Sequence, residues 1–125
     1  MSKTTALRRL IKSKLQTVPG ESYHRTAPTS AAYPYKTFEL ESVAFPDRLR
    51  DDLELLVDIW DRSLDWKRIE DIADQIEAMF NDANLPEPPL YPTFFRENRY
   101  SLDDPDKTLQ HIQLRFLVQL YEKEE

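Results

Sequence analysis

The stretch DDLELLVDIWD, residues 51–61, satisfies two incompatible periodicities, and the choice between them sets the fold. At every second residue, Leu53, Leu55, Val57 and Ile59 form an apolar row with strand spacing. At helical spacing, Leu53, Leu56, Val57, Trp60 and Leu64 form a stripe. A helix here would run on into DWKRIEDIADQIEAMF, whose own apolar face is Ile69, Ile72, Ala73, Ile76, Met79 and Phe80. The stripe through Trp60 and Leu64 instead arrives at Lys67, Arg68 and Asp71, so the phases do not join. One long helix fails, two helices stay open, and a strand after a polar hairpin loop is simpler. Burying its row of apolar side chains contributes ~1.5–3 kcal/mol for each before entropy is charged. Leu56 and Trp60 then lie on the other face, where a second subunit can cover them.

The remaining elements follow from local signals. Ser2 can cap a helix over about residues 3–16, with Leu7, Leu10, Ile11 and Leu15 on one face. Pro19, Gly20, Pro28 and Pro34 break helicity, leaving room for a short strand around Ser22–Arg25. YPYKTFELESVAF reads as a strand, and AFPDRLRDD as an exposed hairpin loop. Asp65 or Ser63 starts the second helix as a cap, and NDANLPEPPLYP ends it. TFFRENRYSL is a partly polar strand. In LQHIQLRFLVQLYEK, Ile112, Leu114, Phe116, Val118 and Leu120 alternate with polar neighbours, and DDPDK between the two is turn chemistry. The expectation is an α+β domain in the order α-β-β-β-α-β-β, a mostly antiparallel sheet of four to five strands with two helices on one face.

Composition narrows the function. The 125 residues suit a single domain. No run approaches the ~20 apolar residues of a membrane helix, and the basic start lacks a secretion signal's apolar region. That start has a faint transit-peptide character, yet its apolar spacing continues as an ordinary core-facing helix. Without cysteine, disulfides, thiolate metal sites and cysteine nucleophiles are excluded. A net charge of −6 disfavours broad phosphate-backbone binding. Positive charge gathers early, at Arg8, Arg9, Lys12 and Lys14, while the end, YEKEE, is acidic. That asymmetry can serve head-to-tail subunit contacts or be a solvated helix face.

Catalytic equipment is sparse. His24 and His111 belong to no zinc-binding pattern, and His111 falls on the polar row of a strand. Serines occur without a nucleophile-elbow sequence, and a lone Gly20 excludes glycine-rich phosphate loops. Glu39, Glu41, Asp52, Glu54 and Asp58 could face one another across a hairpin and hold a hard cation, but solvent or opposed basic residues account for them more simply. Tyr91, Phe94 and Phe95 beside Arg96 and Arg99 suggest base stacking, but alternation separates Phe94 from Phe95. The residues therefore point to a non-enzymatic, self-associating domain without cofactor.

AAYPYKTFELES followed by LELLVDIWDRSLDWKRIEDIADQIEAMF resembles the tail-terminator, or tail-completion, proteins of long-tailed bacteriophages. The correspondence falls on Tyr33, Pro34 and Tyr35; then Val57, Asp58, Ile59, Trp60 and Asp61; then Ile69, Ile72, Ala73, Asp74 and Ile76, within a likeness spanning most of residues 1–121. PEPPLYPTFFREN has no counterpart. The resemblance implies one tail-terminator-like domain over residues 1–125, assembled as a ring, usually hexameric, that caps the tail tube and docks the head connector or head-completion protein. Such a subunit would sit at the tail–neck junction of the virion, pass through the host cytoplasm during assembly, and can be monomeric when free. With it go Phe45, Arg48, Arg50, Tyr91 and Phe95 as partner-binding residues, and Leu56, Trp60, Arg8 and Arg9 at the subunit interface. No membrane and no specific nucleic acid is expected. Head-completion proteins of similar size, a small intracellular adaptor and a metal-dependent hydrolase are the competing readings.

Overall fold

Residues 51–61 are extended. They lie within a 13-residue strand at the centre of a sheet in the computed structural model, which describes residues 2–44 and 50–122. The elements are α1 (Lys3–Leu15), β1 (Glu21–His24), β2 (Tyr35–Ala44), β3 (Arg50–Arg62), α2 (Lys67–Phe80), β4 (Ala83–Asn84), β5 (Leu90–Leu102) and β6 (Leu109–Glu122). Across the sheet the order is β1-β2-β3-β6-β5-β4. β1 and β2 run parallel, and every other neighbouring pair is antiparallel.

The α+β class and the two helices agree with the expectation, and two details correct it. One pairing, β1 with β2, is parallel, and six strands replace the expected four to five, so that the order is α-β-β-β-α-β-β-β. The first difference arises because residues 25–34 carry the chain back to the start of β2 instead of closing a tight hairpin, so β1 enters in parallel. The second arises in the segment read as a helix stop. There Ala83 and Asn84 pair with Phe94 and Thr93, and β5 already begins at Leu90. The end of α2 at Phe80 on one side and Pro86 on the other limit β4 to two residues at the sheet's edge.

One core explains why the strand periodicity prevails. Leu53, Leu55, Val57 and Ile59 meet Ile112, Leu114, Phe116 and Val118, beneath Leu7, Ile11 and Leu15 of α1 and Ile69, Ile72, Ala73, Ile76 and Phe80 of α2. Both helices thus cover the same face. Helix starts follow the cap signals: the Ser2 hydroxyl accepts the Thr5 amide at 3.1 Å, and Asp65 Oδ1 accepts the Lys67 amide at 2.9 Å. Trp66 stands formally at the second cap position and makes no side-chain cap bond.

Charges also cross the buried layer. Lys36, on the helix-covered row of β2, is fully buried. Its ammonium donates to the carbonyls of Val18 at 3.0 Å and Pro19 at 2.9 Å, and also to that of Gly20. Three carbonyls left over at the α1 exit thereby find a partner. Gly20 permits this turn: its φ is +95°, and a Cβ would lie 2.8 Å from the Pro34 carbonyl oxygen. Asp61, also fully buried, accepts from Arg68 of α2 and from the Arg62 amide at 2.7 Å. Glu77 of α2 accepts from Arg96 at 2.7 Å and Arg99 at 2.8 Å of β5. These pairs fix the register of each helix on the sheet.

Burial pushes the Lys36 ammonium down to about 8, against the opposing pull of Glu21, so it remains charged at neutral pH. Lys36→Met is expected to lower the unfolding free energy by about 2–5 kcal/mol, because three carbonyls lose their donor. The folded pKa lies below the ordinary 10.5. Wild type should therefore gain stability relative to the variant as pH rises from about 8 towards 10.5. Urea unfolding of both proteins across that range measures this.

Candidate functional site

The face of the sheet without helices carries the candidate surface. Alternation sends Glu54, Leu56, Asp58, Trp60 and Arg62 of β3 to it. Register then assembles rows across the strands. One row runs Tyr35, Trp60, His111, Leu102 from β2 to β5; the next runs Tyr23, Thr37, Asp58, Gln113, Tyr100 from β1 to β5.

The first row is an aromatic ladder. Trp60 and His111 stack with centroids 3.7 Å apart and planes 15° apart. Tyr35 stacks on the other side of Trp60 at 6.4 Å, and Tyr33 reaches Tyr35 at 5.4 Å. Rings stacked between neighbouring strands stand on edge above the sheet, so their faces are mutually occupied. Flat platforms for bases or sugars are not what this row offers. It presents ring edges flanked by Tyr100 and Leu102, which are 45% and 38% exposed. Arg62 lies over the Tyr33 ring at 5.3 Å. Arg62 also donates to Asp106 at 2.6 Å and Thr108 at 2.8 Å, tying the β5–β6 turn down. The Arg62 guanidinium, with the Thr108 hydroxyl and amide, holds the Asp106 carboxyl at about 2.

Carboxylates on this face are distributed to cationic or donor partners rather than gathered. Asp58 takes the His111 ring at 2.6 Å and the Gln113 amide at 3.1 Å. Glu54 accepts from Arg115 at 3.1 Å, and Asp52 from Arg50 at 3.3 Å. Among the described residues no group of three or more His, Asp or Glu side chains is arranged to hold a metal ion. No described helix is long and apolar enough to cross a membrane.

The structure brings some of the expected partner-binding residues together. Arg50, Tyr121 and Tyr91 share one register row, and Phe95 lies half-buried on the same face, beside Leu117. Tyr91 and Tyr121 also line a groove of about 440 Å³ with Asn84, Pro86, Pro92 and Thr93. Leu56 is on the open face, though only 9% exposed between Glu39 and Arg115. Trp60 lies towards the other end, and Arg8 and Arg9 lie on α1, in the opposite layer. Phe45 and Arg48 fall outside the described residues. Sequence reasoning missed the ladder partners Tyr33 and Tyr35. Their signal was parity: Tyr35, Trp60 and His111 all fall on the non-core rows of their strands.

These features define a class: an α+β domain with one helix-covered face and one open, aromatic and ion-paired face. No protein-family model matches the chain, and no curated protein matches its sequence. Its fold is shared with a chain of a structure described as "Virion of native gene transfer agent (GTA) particle". The TM-score is 0.66 at 9% identity, covering 90% of this chain and 84% of that one. At that identity the likeness is one of fold.

Trp60→Ala removes both stacking contacts while leaving the buried row intact. The expected loss is about 1–3 kcal/mol of unfolding free energy with a folded sheet retained. Chemical denaturation followed by circular dichroism tests this.

Proposed function

We propose that this chain is a structural component of a phage-like particle, and within that class a tail terminator. Its subunits would form a ring on the end of the tail tube and offer a surface to the head connector. The observation that carries the reading is the fold shared over 90% of the chain with a gene transfer agent virion chain. The tail-terminator assignment rests further on the sequence likeness through Tyr33–Tyr35, Val57–Asp61 and Ile69–Ile76. A non-enzymatic role accords with carboxylates already engaged by Arg50, Arg115 and His111.

In this reading Arg50, Tyr91 and Phe95 belong to one partner-facing end of the open face, and Phe45 and Arg48 also touch partners. Leu56, Trp60, Arg8 and Arg9 contribute to contacts between subunits. Arg50 is held by Asp52, and a hydrogen bond with Tyr121 raises its pKa. Its guanidinium is therefore pre-positioned rather than loose.

Deleting the gene in a producing strain is expected to leave filled heads and complete tails unjoined in electron micrographs. A chain carrying Arg48→Glu and Tyr91→Ala should fold yet fail to restore joining. Normal joined particles after deletion would remove the assignment. Heads that leak their nucleic acid beside otherwise normal tails would favour a head-completion protein instead.

A further inference from the structure

Charge is distributed unevenly over the two edges of the sheet. Of the nine arginines described, six have a carboxylate partner: Arg50, Arg62, Arg68, Arg96, Arg99 and Arg115. The three without one, Arg8, Arg9 and Arg25, all belong to α1 or to the residue just after β1. Arg9 shares a groove with Glu87. Arg8 and Lys12 lie one turn apart on α1, Arg25 directly follows β1, and all three act on His24, whose pKa is lowered first by burial and then by these cations. Like charges held together without a counter-charge, in a chain of net charge −6, carry an unrelieved electrostatic cost. Arg25 is moreover fixed at φ 69°, a backbone region that side chains with a Cβ seldom occupy. Its amide donates to the Phe38 carbonyl at 2.9 Å, which fixes the residue at the end of β1.

The far edge has the opposite character. β4 pairs only with Thr93 and Phe94, so among the described residues the rest of β5, to Leu102, has no strand on its outer side. Arg96 and Arg99 on this edge are neutralised by α2. What remains is Glu97, the extra residue of a bulge between Arg96 and Asn98, followed by Asp103 and Asp104. None of these three has an ion-pair partner among the described residues. Register also sets their level. His24, Phe38, Val57, Leu114 and Arg99 form one row across the sheet. His24, beside the cationic cluster, is therefore level with Arg99, which follows Glu97 by two residues on the far edge.

We propose that the cluster of Arg8, Lys12 and Arg25 beside β1 receives Glu97, on the β5 edge, of a second copy of this chain. A second copy is the occupant because an unpaired carboxylate, Glu97, lies within two residues of the cluster's level on the same molecule's other edge. The contact joins two different surfaces, so it repeats head to tail and closes into a ring where the rotation allows. It fills the edge that β4 leaves open and brings the exposed Tyr100 and Leu102 into the joint. This inference deepens the ring-forming reading above and rests on its self-assembly part.

The test uses two charge-reversed full-length chains, Arg8→Glu with Arg25→Glu, and Glu97→Lys, each checked for folding by circular dichroism. Sedimentation in low salt should show wild type associating and each reversed chain alone monomeric. Equimolar mixing should restore association, because one chain then has two acidic edges and the other two basic ones. Should a reversed chain misfold, Arg8→Gln with Arg25→Gln replaces it, with association expected to weaken at least ~10-fold and to lose salt dependence. Wild type that stays monomeric at millimolar protein in low salt overturns the proposal. So does association that survives either reversal, or a mixture that remains monomeric. Particle morphology is not read in this experiment, so its failure leaves the virion assignment standing, whereas joined particles after gene deletion sink that assignment alone.

Discussion

The pleat of β3 governs the rest of the molecule. Because successive side chains alternate, one 13-residue strand commits Leu53, Leu55, Val57 and Ile59 to the helices and Leu56, Asp58 and Trp60 to the open face. Its two neighbours, β2 and β6, inherit their parity from that commitment through register. A slip by one residue would place Asp58 in the core and Val57 in water. The buried charges Lys36 and Asp61 reinforce the register, since each finds its partners only in this alignment.

Polar satisfaction shapes both layers. On the covered face, Lys36 caps carbonyls at the α1 exit, Asp61 grips the start of α2, and Glu77 ties α2 to β5. On the open face the same chemistry disperses carboxylates onto Arg50, His111 and Arg115. A surface built this way is stiff, with aromatic ring edges and exposed side chains supported from below. That suits docking to a large, shaped partner better than chemistry on a small one.

Much of the fold was legible in the sequence. Helix α1 with its Ser2 cap, the alternating β6, and the extended reading of residues 51–61 rest on short-range periodicity that sequence displays directly. Less legible was the parallel entry of β1, because nothing in residues 25–34 specifies the direction in which the loop returns. β4 was hidden by its length: two residues paired through tertiary contact leave no periodic trace. The residue type of Lys36 gives no sign of burial, although it shares the parity of the buried Phe38. The candidate surface was half visible. Trp60 and Tyr91 could be singled out alone, whereas the ladder required knowing that Tyr35, Trp60 and His111 are register partners.

The sequence by itself determined the class of elements, the identity of the apolar rows, and the absence of cysteine chemistry, because these depend on residue type and spacing along the chain. Only the tertiary structure decided which polar residues meet. Strand order places His111 against Trp60 and Asp58, brings Lys36 under the carbonyls of Val18 and Pro19, and sets His24 and Arg99 level on opposite edges. Those encounters join residues distant in the chain, and pairing between strands carries no signature in the local pattern of either one.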